Sequence, residues 1–157
     1  MDVLDEEILN FWRLLHEYKV SYIMVGGFAT VLNGFTRTTD DLDVWLKDTP
    51  ENRSRLRKTL KKLDLGDFSS LETMPMIPGY TSITLNSGFI LDLMTFIKGF
   101  EQGNFDECYA LSPIAIIEDI PVKFLHINQL IKAKKASGRP KDLIDVEELE
   151  KIRKLGI

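Results

Sequence analysis

Near the start of the chain apolar residues recur at three- and four-residue steps: Leu4, Ile8, Phe11, Trp12 and Leu15. That spacing puts them on one stripe and predicts an amphipathic helix over roughly residues 5–18. The period then changes. Val20–Val25 is short, rich in β-branched residues and ends in Gly26-Gly27, which predicts a buried strand followed by a turn. Phe28–Leu32 predicts a helix stopped near Asn33-Gly34. Residues 35–40 read as a loop and Leu42–Leu46 as a second strand. Thr49 followed by Pro50 supplies an N-cap and a proline at the first helical position, so a helix is predicted to about Leu65, with Leu56, Leu60 and Leu63 facing the core.

Beyond that helix the pattern reads as strands through residues 70–97, with Ser82–Leu85 and Phe89–Ile97 joined at Asn86-Ser87-Gly88. Met74–Gly79 is irregular, an edge or a loop. Ile114–Ile117 and Pro121–Phe124 predict two more short strands linked by Glu118-Asp119. Helices are predicted over residues 127–136 and 140–154, separated by Gly138-Arg139-Pro140. The order predicts an α/β (α+β) fold, one domain over residues 1–157, with a mixed sheet, helices packed against it and a helical C-terminus from residue 126 onward.

Composition narrows the function classes. The net charge of -4 argues against a chain that wraps nucleic acid as a whole. Basic residues nevertheless crowd residues 53–62 and 123–141, either to meet an RNA backbone or to solvate two helices. One cysteine, Cys108, excludes an intrachain disulfide, and with two histidines it excludes a zinc cluster. No signal peptide is visible and no apolar run is long enough to span a bilayer, so a cytoplasmic protein without a membrane partner is expected.

Three features carry chemistry. On a strand Asp41 and Asp43 project to the same face, where two carboxylates repel unless a cation lies between them. Alone, Asp-x-Asp is equally an Asp-rich turn. Gly26-Gly27 after a strand lets backbone approach a ligand, though a glycine pair is also an ordinary tight turn. Asp92 lies inside the apolar run Phe89–Ile97, where an ionised carboxylate is costly unless paired or metal-bound.

Taken together, Gly26-Gly27, Asp41-x-Asp43 and Asp92 resemble the pattern of the polymerase-beta-like nucleotidyltransferase superfamily, across a catalytic core of residues 20–97. Arg37-x-Thr39-x-Asp41-Leu42-Asp43, with the later run from Lys134 through Arg139-Pro140-Lys141-Asp142 to Asp145, resembles its minimal bacterial AbiEii-like, toxin-type branch. The resemblance implies Mg²⁺ or Mn²⁺ held by Asp41, Asp43 and Asp92. It implies a nucleoside triphosphate (ATP, GTP or CTP) as substrate, with Asp41, Asp43, Asp92 and Lys134 catalytic. Gly26, Gly27, Arg37, Thr39 and Arg139 would lie along the nucleotide and its phosphates. Transfer would go to a tRNA 3′ end or a protein hydroxyl, with a cognate antitoxin as partner. The competing readings are transfer to a small molecule, for which the chain is short, and a non-catalytic nucleotide-binding module. Gly27 departs from the pattern, since many members carry serine there.

Overall fold

The computed structural model describes residues 5–76 and 81–156. Leu4 of the first helical stripe and residues 77–79 of the irregular stretch lie outside them. Helix α1 (Glu6–Glu17) is capped by Asp5, whose carboxylate accepts from the backbone N–H of Glu7 and Ile8. Strand β1 (Tyr22–Val25) follows, then α2 (Gly26–Leu32), β2 (Asp41–Leu46) and α3 (Pro50–Lys62). Thr49 caps α3 by accepting from Asn52 N–H at 3.2 Å. The hairpin strands are β3 (Thr81–Thr84) and β4 (Ile90–Met94). Then come α4 (Phe105–Leu111), β5 (Ile114–Ile117), β6 (Ile120–Lys123), α5 (Ile127–Ser137) and α6 (Pro140–Lys154).

The four-stranded sheet has the order β1-β2-β4-β3. β2 runs antiparallel to β1 and parallel to β4, and β3 closes the edge antiparallel to β4. This mixed α/β arrangement is the fold class expected. The β5–β6 hairpin turns through Glu118 and Asp119, both at positive φ, and touches β1 through a Met24–Phe124 bridge.

Strand alternation decides what each face does. Leu42, Val44, Leu91 and Leu93 point one way and are buried. Leu56 and Leu60 of α3 share a groove with Leu93 and Ile83, so α3 covers that face. Asp41, Asp43 and Asp92 point the other way. There Trp45 packs edge-on against Phe105 of α4 at 5.3 Å and donates its indole N–H to Thr95 O.

Some expectations need correction. Residues 70–76 are no strand: Ser69–Glu72 forms a 3-10 turn over α3, held by Arg53 donating to Leu71 O. β4 stops at Met94, short of Ile97, because the chain turns through Phe96–Gly99 toward α5. α2 starts at the glycines themselves rather than at Phe28, and α3 ends at Lys62.

Candidate active site

β2 and β4 are parallel neighbours in a register that sets Asp43 directly beside Asp92. Asp41 lies one pleat earlier on the same face. Oxygens of the three carboxylates come within 4.8 Å of one another. All three side chains are half-buried, and Asp43 lines a cleft of about 310 Å³. Burial first, then the negative charges of Asp92 and Asp41 and a hydrogen bond to Asp92, push the Asp43 carboxyl up to about 7, against the opposing pull of Lys134. Held this way, Asp43 keeps its proton to near neutrality unless a cation replaces it. On β3, Ser82 stands opposite Asp92 and donates its hydroxyl to Asp92 Oδ1.

The glycine pair is packed against this cluster. Gly26 has φ +64°, and a Cβ there would lie 2.0 Å from Asp43 Oδ2. No side chain fits, so residue 26 brings backbone against the carboxylate. Thr30 donates its hydroxyl to Gly26 O at 3.0 Å and ties the turn to the next helical turn. A Cβ on Gly27 would lie 2.7 Å from Thr39 Oγ1 and 3.2 Å from Arg37 Nη2. The departure at residue 27 therefore has a steric cause: the Thr39 hydroxyl already fills the space.

A second charge cluster closes the cleft from the helical side. Lys134, buried on α5, donates to Asp145 Oδ2 at 2.8 Å and lies 3.8 Å from Asp142 Oδ1. Arg37 donates from Nη2 to the same Asp145 oxygen, and its Nε lies 2.9 Å from Oδ1. Arg139 donates its backbone N–H and Nε to Asp142 Oδ2, which boxes the start of α6. Burial opposes the charge on Asp142, yet hydrogen bonds from Arg139 and Ser137 hold its carboxyl below the usual range. Lys134, Arg139 and Asp142 line the cleft with Gly26 and Asp43.

Every residue singled out from the sequence thus lies in one of two adjoining clusters. Sequence reasoning missed Ser82, although counting back from the hairpin turn pairs it with Asp92. The three-residue spacing of Asp142 and Asp145 puts both on one side of α6, where they meet Lys134, and Asp142 also pairs with Arg139.

Several side chains of the basic stretches are engaged locally. On α3, Arg53 pairs with Asp48 at 2.7 Å and Arg57 with Asp67 at 2.6 Å, on the face away from the aspartates. In the later stretch Lys123 sits over the Tyr109 ring, Lys132 over Phe100, and Lys135 pairs with Glu150.

Residues 2–156 match the family described as "Nucleotidyltransferase of unknown function (DUF6036)". A comparison with curated proteins gives no match. Among solved structures, the lincosamide antibiotic adenylyltransferase LnuA, lincomycin-bound, superposes with a TM-score of 0.62 at 15% identity, covering 97% of this chain and 99% of that one. An antigenic nucleotidyltransferase-like protein from Paracoccidioides brasiliensis gives 0.54 at 18% identity, over 95% of this chain and 73% of that one. The antibiotic-resistance factor ANT(2'')-Ia gives 0.51 at 19% identity, over 95% and 88%. At these identities the structural likeness speaks to fold. No helix among the described residues is long and apolar enough to cross a membrane.

Proposed function

Because the chain belongs to this nucleotidyltransferase family and is therefore an enzyme of that class, we propose that Asp41, Asp43 and Asp92 hold the divalent metal at which a nucleoside monophosphate is transferred to an acceptor hydroxyl. The observation that carries this reading is the convergence of the three carboxylates beside Gly26. The donor set is entirely carboxylate oxygen, which suits Mg²⁺ or Mn²⁺. Burial and the neighbouring charges of Asp92 and Asp41 raise the proton affinity of Asp43, a demand that a bound cation would meet. When bound, the metal supplies Lewis-acid stabilisation of charge at the α-phosphate.

The chain's own residues do the rest. Gly26 and Gly27 offer backbone free of side-chain bulk to the phosphates, with Thr39 and Arg37 alongside. Arg37, Lys134 and Arg139 exceed Asp142 and Asp145 by one positive charge, which favours an anionic ligand. The acceptor oxygen bonds to the α-phosphorus, the bond to the α,β-bridging oxygen breaks, and pyrophosphate leaves with the electron pair. The hydroxyl proton passes to Asp92, which the Ser82 hydroxyl orients.

For the acceptor, the charge distribution favours a small molecule. Arg53, Arg57 and Lys135 of the basic stretches are held by Asp48, Asp67 and Glu150 rather than aligned toward the aspartates. The shortness of the chain is no obstacle, since the lincosamide adenylyltransferase is covered almost end to end. A second reading, the AbiEii-like one with a tRNA 3′ end or protein as acceptor and an antitoxin as partner, is favoured by one observation. Arg37 and Lys134, two of the cations of that resemblance, meet on Asp145.

The test is incubation with each labelled nucleoside triphosphate, Mg²⁺ or Mn²⁺, and separately with total tRNA, extract protein and a panel of hydroxylated small molecules, with Asp43→Ala alongside. Label passing to a small molecule with wild type only supports the first acceptor reading; label on tRNA or protein supports the second. Absence of metal-dependent nucleotide binding would remove the assignment of the aspartates.

A further inference from the structure

Asp145 sits at the junction of two segments far apart in sequence. Its side chain is 2% exposed, and both oxygens are in use. Oδ2 receives Lys134 Nζ at 2.8 Å and Arg37 Nη2 at 2.9 Å, while Oδ1 lies 2.9 Å from Arg37 Nε. Arg37 comes from the loop before Asp41 and abuts the Gly27 turn. Lys134 comes from α5, lines the cleft, and its charge is felt at Asp43. One buried carboxylate therefore fixes two cations side by side, one lining the cleft and one against the Gly27 turn.

Fold stability is a weak reason for such an arrangement, because apolar groups of similar volume often stabilise as well as a buried ion cluster. Pre-ordering is a stronger one. Free Lys and Arg side chains carry rotamer entropy that a ligand must otherwise overcome. Building on the reading of the site above, we infer that Asp145 is a positioning residue: it sets Arg37 and Lys134 to receive the β- and γ-phosphates of the nucleoside triphosphate, touching neither phosphate itself.

The inference separates triphosphate from monophosphate. The measurement is calorimetric binding of ATP, GTP, CTP and UTP, and of the four monophosphates, to the full chain with Ca²⁺ replacing Mg²⁺ to slow turnover. Asp145→Asn is expected to weaken triphosphate binding about tenfold or more, the loss of about one charge-assisted contact, and to leave monophosphate binding within about twofold. Parallel weakening of both classes would mean a merely structural role and overturn the inference. So would triphosphate binding that is unchanged, or tighter through removal of a negative charge. If Asp145→Asn does not fold, Asp145→Glu keeps the charge and shifts both cations by a methylene. The same selective loss, smaller in size, is then expected, and equal triphosphate affinity overturns the inference. A wild-type chain that binds no nucleotide would instead undo the reading of the site.

Discussion

Two clusters of partly buried charge face each other across one cleft, and they are built on opposite rules. On the sheet, Asp41, Asp43 and Asp92 gather three like charges within 4.8 Å. On the helical side, Arg37, Lys134 and Arg139 are matched against Asp142 and Asp145. The second cluster is close to neutral and holds elements together. The first raises a proton affinity and favours a cation from outside. Charge is thus unbalanced where the proposed metal would bind and nearly balanced where the cations are held in place.

The sharpest contrast comes from removing one carboxylate on each side. Asp43→Ala should lower nucleotidyl transfer by at least about 10³-fold, roughly 4 kcal/mol of transition-state stabilisation, with unchanged far-ultraviolet circular dichroism. Asp145→Ala should cost both stability and the placement of Arg37 and Lys134. It leaves Lys134 buried beside Asp142 at 3.8 Å only, and denaturant titration should show a loss of about 3 kcal/mol.

Asp43→Asn should move stability the opposite way. The Asp43 carboxyl titrates at about 7 when folded and 3.8 when unfolded. Between those values the folded chain keeps a proton the unfolded chain has released. Stability in excess chelator should therefore fall as pH rises through this window, by at most about 1.4 kcal/mol per pH unit, and stay low above it. At pH 8 without metal, Asp43→Asn should be the more stable protein by about 2 kcal/mol, less than the full linkage because the carboxylates relax. A wild type that outlasts Asp43→Asn under those conditions would show that the aspartates are balanced after all. Smallest of all, Arg57→Gln, which breaks an exposed pair with Asp67 on the far face, should leave transfer unchanged and shift the melting temperature by about 1 °C or less.

Much of this was legible beforehand, for reasons that differ by element. The helical stripe of α1, the Thr49-Pro50 start of α3 and the Asn86-Ser87-Gly88 hairpin are local signals, and all three formed. The 3-10 turn over α3 and the early end of β4 are set by packing against other parts of the chain, which no local period records. Within the site, the strand period alone put Asp41 and Asp43 on one face. That Asp92 stands directly beside Asp43 needed the parallel register of two strands separated by a helix and a hairpin. The role of the basic stretches was the least legible. Runs of lysine and arginine look alike in sequence, and what they do depends on Asp48, Asp67 and Asp145 arriving from elsewhere.

The 2.7 Å between the Thr39 hydroxyl and the missing side chain of residue 27 reaches beyond this one molecule. Two positions twelve residues apart share a single pocket of space. A serine at 27 would force the Thr39 side chain to shift, so the residue at each position weighs on the choice at the other. Natural variants with threonine at 39 should therefore carry glycine at 27 more often than those with a smaller residue at 39. A tally of residue pairs among relatives would reveal that linkage without any protein being made.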